Sequence, residues 1–324
     1  MAENIITKSL IIPVYGNEKN IPHLIPVIEE IAASQGQGFE AIFVIDGSPD
    51  KSKELLQESM ASVHFTMKII SHSRNFGSFI AIRTGMEHAK GDYLAVMAAD
   101  LQEPPELIEQ FFDVLMNDGT DIVFGQRVGR NDPPFKRFFA DSYWALYRKI
   151  VQPDIPKGGV DIFGCNKRAK EVILDIKEPN SSLVAQLFWI GYRRTFITYE
   201  RKKREHGESA WGLRKRVRYM LDSIFSYSDF PIMAVLWVGV FSLLVTTLIG
   251  GVTLFGKLFG FIDEPGYTGI VLLILFFGSS ILTTQGILGC YLWRAFENTK
   301  RRPLSIVSHK EDNIGFEKSK ENVK

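Results

Sequence analysis

Asp100 and Gln102, in Ala98-Ala99-Asp100-Leu101-Gln102-Glu103-Pro104-Pro105, offer the oxygen donors that a hard divalent cation takes when a diphosphate fills the rest of its shell. They follow a short apolar run, and other polar residues stand at the ends of similar runs. Asp46, in Ile45-Asp46-Gly47-Ser48-Pro49-Asp50, is a carboxylate that can accept hydrogen bonds from a base or a ribose, although Asp-Gly is also an ordinary turn. Arg74, in Ser73-Arg74-Asn75-Phe76-Gly77, can meet a phosphate, and a helix beginning just beyond it favours an anion. Pro13-Val14-Tyr15-Gly16-Asn17-Glu18 and Gly125-Gln126-Arg127 close two further runs.

These fragments need a scaffold that brings strand ends together. Ser9–Val14, Ala41–Ile45, Met67–Ser71, Tyr93–Met97 and Asp121–Phe124 are brief, nearly continuous apolar runs, as strands buried on both faces are. Helical patterns lie between them, near 20–34, 51–61, 78–89 and 104–117, and Pro104 and Pro105 suit the first turn of the last. This alternation predicts an α/β fold with a mainly parallel sheet and helices on both faces. Ligands of such sheets bind beyond the carboxyl ends of the strands, where the polar fragments sit. Residues 134–150 read as a helix rich in aromatic and basic residues, suited either to a core or to a membrane interface.

Residues 230–256 and 265–293 contain no Asp, Glu, Lys or Arg, although 23% of the chain is charged. Either is long enough to cross a hydrocarbon core of roughly 30 Å. Basic residues from Arg201 to Arg218 precede the first stretch, and Arg294, Lys300, Arg301 and Arg302 follow the second. That asymmetry predicts a two-helix transmembrane hairpin with both outer ends in the cytoplasm. The expected organisation is a cytoplasmic domain over 1–200, a basic amphipathic interface segment over 201–229, the hairpin over 230–293 and a cytoplasmic tail over 294–324. The tail after Pro303 is polar and without periodicity, and reads as mobile. A net charge of +1 argues against a general nucleic-acid binder, and two cysteines give neither a disulfide framework nor metal-site spacing. The first ten residues lack the pattern of a signal peptide.

The segment 201–216, RKKREHGESAWGLRKR, then acquires a chemical reading. A phosphate carried by a lipid lies at the membrane surface, where Arg201, Arg204 and Arg214, with Ser209, can hold it by charge-assisted hydrogen bonds. The same charges can instead anchor the chain against anionic lipid.

In order and spacing the fragments IIPVYGNEKNI, VIDGSPD, SRNFGSFIAIRTG, GDYLAVMAADLQEPPELI, GQRVGR, GESAWGLRK and YLWRAFENTKRRPLSIV resemble the family 2 glycosyltransferases. The resemblance runs from about Leu10 to Val307 and is to the branch that loads a sugar onto a polyprenyl phosphate, including bactoprenol glucosyltransferases and dolichol-phosphate mannose synthases. It implies a GT-A fold, a nucleotide-sugar donor and inversion at the anomeric carbon. It places Pro13, Tyr15 and Glu18 at the nucleoside, Asp46 with Ser48 at the base or ribose, and Arg74 and Gly77 in the same donor site. Asp100 and Gln102 would hold Mg2+ or Mn2+ against the diphosphate. Arg127, and with it Arg130, would face a phosphate of donor or acceptor, and Asp161 would stand beside the reacting centre.

Two departures are evident. Many relatives have two adjacent acidic residues where this chain has Ile45-Asp46, which bears on the choice between uridine and guanosine. The family's Asp-x-Asp is Ala98-Ala99-Asp100 here, which leaves a metal held by fewer protein ligands, compensation elsewhere, or an inactive protein. The implied reaction is transfer of a sugar, from a UDP-sugar in preference to a GDP-sugar, to undecaprenyl phosphate at the cytoplasmic face of a bacterial inner membrane. The alternatives are a dolichol-phosphate-mannose-synthase-like enzyme using GDP-mannose and a noncatalytic lipid- or nucleotide-binding partner in glycan assembly. A processive synthase is disfavoured, because no Gln-x-x-Arg-Trp sequence occurs. Gly250-Gly251 and Gly286-Ile287-Leu288-Gly289 permit close helix packing, within a hairpin or in a homo-oligomer.

Overall fold

A computed structural model describes residues 6–128, 148, 153–156, 159–160, 162–178, 181–201, 221, 224–225, 227–228, 230–260 and 267–313. The five apolar runs are strands: β1 Lys8–Val14, β2 Phe39–Ile45, β3 Thr66–His72, β4 Tyr93–Val96 and β5 Ile122–Val128. Helices α1 Ile21–Gln35, α2 Ser52–Ser59, α3 Ser78–His88 and α4 Pro105–Asn117 connect them. There follow β6 Ile162–Asn166, α5 Lys167–Asp175, α6 Leu183–Trp189, β7 Arg194–Glu200, α7 Phe230–Leu258, α8 Tyr267–Thr299 and β8 Val307–Asp312. The expected helix at 134–150 lies outside the described residues except for Arg148, and most of the basic segment after Arg201 does too.

The strands form one sheet in the order β7-β5-β6-β4-β1-β2-β3-β8. β1 pairs in parallel with β2 and with β4, and β2 with β3, so four carboxyl ends open on one side. β6 runs antiparallel between β4 and β5, and β5 pairs in parallel with β7. The sheet is therefore mainly parallel, as the alternation predicts.

Side chains alternate across a strand, so each strand feeds two layers. Leu10, Ile12 and Val14 join Ala41, Phe43 and Ile45 in a core with Leu24 and Ile28 of α1 and Phe111 and Phe112 of α4. Ile11 points the other way, against α3, where a Cβ on Gly85 would lie 2.4 Å from Ile11 Cγ2. Glycine at 85 thus lets α3 lie close on β1. Arg83, also on α3, is 4% exposed, and its two Nη atoms donate to the carbonyls of Ile173 and Leu174. These carbonyls belong to the last turn of α5, where a cation meets the negative end of the helix dipole; the Ile173 carbonyl also accepts from the Ile176 N–H (3.3 Å).

The reading of the tail as mobile is overturned over residues 307–313, and the tail beyond residue 313 lies outside the described residues. β8 pairs antiparallel with β3, from Lys68↔Asp312 to His72↔Val307, and Asn313 bonds with Met67 and Phe65. Its sequence, VSHKED, has no apolar alternation, because an edge strand held by backbone bonds needs none. The chain divides into two compact units: Met1–Arg216 with Arg302–Lys324, and Val217–Arg301. α7 and α8 are continuous helices of 29 and 33 residues. Among the described residues no helix is long and apolar enough to cross a membrane, so the structure does not establish the expected hairpin.

Arg83→Met keeps the aliphatic bulk but leaves two carbonyls of α5 without their charged donor, a loss of about 2 kcal/mol. The thermal midpoint is expected to fall by roughly 4–8 °C. An unchanged midpoint in a melting experiment on the full chain would show that the cap contributes nothing.

Candidate active site

Asp46 leaves the end of β2 with its backbone N–H bonded to Val14 O (3.0 Å). Its carboxylate is 2% exposed, and both oxygens are used. Oδ1 accepts from the N–H of Phe76 (2.8 Å) and lies 2.8 Å from His72 Nδ1; Oδ2 accepts from the N–H of Gly77 (2.7 Å). The residue expected at a base or ribose therefore holds the turn between β3 and α3, at the lip where a nucleoside would lie. Gly47 makes this close approach possible. Its φ is +60°, and a Cβ there would lie 2.4 Å from the carbonyl carbon of Arg74 and 2.5 Å from Asn75 N.

A second lattice joins the β1–α1 and β2–α2 turns. The N–H of Gly16 donates to Ser48 Oγ (2.8 Å), that of Asn17 to Ser52 Oγ (3.2 Å) and that of Glu18 to Asp50 Oδ2 (2.9 Å). In return Lys51 N–H donates to Glu18 Oε2 (3.2 Å), and Ser48 Oγ donates to Asp50 Oδ1 (2.6 Å). Glu18 and Ser48 are thus loop staples as well as residues expected near the donor. Burial alone would raise the Asp50 carboxyl, but the hydrogen bonds from Ser48, Glu18 and Ser52 outweigh it and hold its pKa below the usual carboxylate value. Pro13 is half-buried at the end of β1, and Tyr15 is exposed on the turn. Arg74, also exposed, lies with its guanidinium 3.9 Å from the centre of the Phe76 ring.

The third cluster follows β4. Leu101 has a φ of +56°, a left-handed conformation that bends the chain between Asp100 and Gln102. Gln102 N–H approaches Asp100 Oδ1 at 3.4 Å. Glu103 is 2% exposed, and its Oε1 lies 3.9 Å from a guanidinium nitrogen of Arg201 at the end of β7. Arg127 sits one residue before the end of β5, in register with Tyr199 of β7, and its Nε is buried without a partner among the described residues. Asp161, Arg130, Arg204, Ser209 and Arg214 lie outside the described residues. Cys165 is buried in β6, and burial pushes its thiol up to about 12, which makes it unreactive.

Sequence reasoning missed Glu103, Asp50 and His72. His72 had a signal, since it is a polar side chain at the end of the apolar run Met67–Ser71. Glu103 had none, because its pairing depends on where the end of β7 falls.

An open sheet whose polar turns gather beyond the carboxyl ends of β1, β2, β3 and β4 defines an α/β protein of the class whose ligands bind at the strand ends. The profile described as Glycosyl transferase family 2 matches residues 9–175, and the chain belongs to that family and is a glycosyltransferase. It is 32% identical over 304 residues to an uncharacterized glycosyltransferase of Synechocystis, covering 94% of this chain and 95% of the other. The putative glycosyltransferase CsbB of Bacillus subtilis is 30% identical, with 94% and 92% covered. The bactoprenol glucosyl transferase of Shigella phage SfV is 29% identical over 302 residues, with 93% and 98% covered. Among solved structures, Staphylococcus aureus TarS 1–349 in complex with UDP-GlcNAc gives a TM-score of 0.43 at 15% identity, over 64% of this chain and 62% of that one. So partial a likeness carries no functional argument.

A metal would find a sparse donor set here. Ala98 offers no ligand, Glu103 faces Arg201, and among the described residues no group of three His, Cys, Asp or Glu could hold an ion. One carboxylate and one amide, Asp100 and Gln102, fit Mg2+ or Mn2+ when substrate phosphates supply further oxygens. Ala98→Asp is therefore expected to raise Mn2+ affinity without nucleotide by about tenfold or more, as ligand charge sets affinity in oxygen sites. Titration by electron paramagnetic resonance reads this directly, and equal affinities would show that position 98 does not face the ion.

Asp50 predicts a pH effect of definite sign. Its pKa is depressed by folding, so its stabilisation is complete above the unfolded value near ~3.9 and is lost as pH falls through the lower folded value. Asp50→Asn is expected to lower the urea midpoint at pH 6 and to flatten its decline below about pH 4. Parallel wild-type and variant curves across that range would remove the carboxylate's role.

Proposed function

We propose that the protein transfers a sugar from a nucleotide-sugar, in preference a UDP-sugar, to a polyprenyl phosphate of the undecaprenyl type, with inversion at the anomeric carbon. The observation that carries this reading is the end-to-end match to a bactoprenol glucosyl transferase. It takes in 93% of this chain and 98% of that one, and so includes the long C-terminal helices as well as the sheet. A soluble acceptor would not call for such helices.

In this reading α7 and α8 span the bacterial inner membrane. Their uncharged stretches, 230–256 and 265–293, and the basic residues outside both ends support it. β3 precedes the two helices and β8 follows them, and the two strands pair, so any crossings are even in number and return the chain to its starting side. Both termini then lie in the cytoplasm.

The donor nucleoside would lie over Pro13, Tyr15, Glu18, Asp46 and Ser48, with Arg74 and Gly77 at its side. Asp100 and Gln102 would hold Mg2+ or Mn2+, whose contribution when bound is to neutralise charge on the leaving diphosphate. Arg127 adds fixed positive charge there. Arg201, Arg204, Ser209 and Arg214 would hold the acceptor phosphate. A phosphate oxygen attacks the anomeric carbon, the new C–O bond forms as the bond to the diphosphate breaks, and the nucleoside diphosphate leaves with the electron pair. The nucleophile is already an anion, so positioning and charge neutralisation are the whole catalytic task. Asp161 would orient the attacking phosphate or stabilise positive character on the sugar ring.

The test uses the full chain in detergent or lipid with undecaprenyl phosphate, a divalent cation and a panel of labelled UDP- and GDP-sugars. Label should enter an organic-extractable, mild-acid-labile lipid from one donor. Asp161→Asn should lower turnover by roughly 100-fold or more with little change in donor affinity, as loss of a group acting in the transition state does. Nucleotide binding by an intact wild-type protein without lipid product from any donor would favour the noncatalytic reading.

A further inference from the structure

Asp46 is the near end of a buried chain of polar side chains that reaches the C-terminal segment. His72 Nδ1 lies 2.8 Å from Asp46 Oδ1, and His72 Nε2 lies 2.9 Å from Thr84 Oγ1. Thr84 Oγ1 in turn lies 2.9 Å from Ser305 Oγ. Asp46, His72 and Thr84 are 2%, 4% and 1% exposed, so the two bonds of His72 are made away from water, and the bond to the half-buried Ser305 lies nearer the surface. An ionised carboxylate only accepts, so Nδ1 carries the proton that Asp46 receives. Nε2 and the two hydroxyls complete a continuous chain, in which each hydroxyl can serve as donor or acceptor.

Four elements contribute one residue each: Asp46 from the end of β2, His72 from the end of β3, Thr84 from α3, and Ser305 from the link between α8 and β8. The backbone of that link follows the same course. Ser73 N–H donates to Ile306 O (2.9 Å), and Ser308 Oγ donates to Ser71 O (3.0 Å). The turn carrying Arg74, Phe76 and Gly77 is thus held from two sides, by the Asp46 carboxylate and by the segment after α8.

We infer that His72, Thr84 and Ser305 are positioning residues for the nucleotide site, and that the C-terminal link sets donor affinity through them. The inference rests on the reading of the β2–α2 and β3–α3 turns as the nucleoside site. None of the three is required to touch the nucleotide. Ser305 fixes the Thr84 hydroxyl, Thr84 fixes the imidazole ring, and the imidazole fixes the rotamer of Asp46. The carboxylate then sets the height of the N–H groups of Phe76 and Gly77 and the slope of the turn. A donor meeting a turn already in place does not have to order it on binding.

Ser305 is the residue to change, because it is half-buried and lies outside the sheet core. The full chain is titrated calorimetrically with UDP, and with GDP as a second probe, alongside kinetics with donor and with undecaprenyl phosphate. Ser305→Ala should weaken nucleotide binding by about three- to tenfold, the net worth of one buried hydrogen bond. Donor KM should rise in step, while kcat at saturating donor and KM for the lipid hold. Ser305→Thr, which keeps the hydroxyl, should restore affinity to within about twofold. Thr84→Val combined with Ser305→Ala should bind no worse than Thr84→Val alone, since residues acting as one chain are not additive. A fall in thermal midpoint with unchanged nucleotide affinity would make Ser305 merely structural and overturn the inference, as would additive effects of the two substitutions. Wild-type protein that binds neither nucleotide would sink the functional reading itself. Normal wild-type binding with unaffected variants would sink only the relay.

Discussion

The buried carboxylate of Asp46 is the constraint around which the β2–α2 and β3–α3 turns are arranged. A charge removed from water at the end of β2 is tolerated only if hydrogen bonds replace its hydration. Here the N–H groups of Phe76 and Gly77 and the imidazole of His72 do so. Satisfying Asp46 draws the β3–α3 turn down onto the β2–α2 turn, to a separation that excludes any side chain at position 47. The glycine and the carboxylate are two parts of one device. Neither position can change without the other turn moving.

The cleft has two halves of different character. At the ends of β1, β2 and β3 the polar groups of the turns are paired within the protein, through Asp46 on one flank and the Ser48–Asp50–Glu18 lattice on the other. Such a surface is preorganised and presents backbone and ring faces. Beyond β4 and β5 the contacts are longer: Gln102 N–H lies 3.4 Å from Asp100 Oδ1 and Arg201 3.9 Å from Glu103, and Arg127 Nε is buried without a partner among the described residues. Ala98, just beyond β4, offers no carboxylate on this side.

The C-terminal strand connects these local arrangements to the architecture of the whole chain. β8 covers the outer edge of β3 and would otherwise leave a row of unpaired backbone groups there. Because α7 and α8 are inserted between α6–β7 and β8, the sheet closes only after both helices have been traversed. A segment that follows the apolar helices is thereby joined to β3 and, through Ser305, to Thr84 of α3.

The sequence by itself determined the alternation of strands and helices through α4, because strands buried on both faces must be nearly continuous in apolar residues, and β1 to β5 are. It also placed the polar fragments at strand ends, where chain direction alone puts them on one side of a parallel sheet. It could not show β8, since VSHKED is held by backbone bonds to β3 that leave no trace in side-chain pattern. Nor could it tell Arg83 from a phosphate ligand, because only the packing of α3 against α5 puts its guanidinium on the carbonyls of Ile173 and Leu174. Asp46, His72, Thr84 and Ser305 stand up to 259 residues apart, and local periodicity carries no information about such a separation. Tertiary structure decided their meeting, because a buried carboxylate takes its partners from whichever elements the sheet order brings within hydrogen-bond reach.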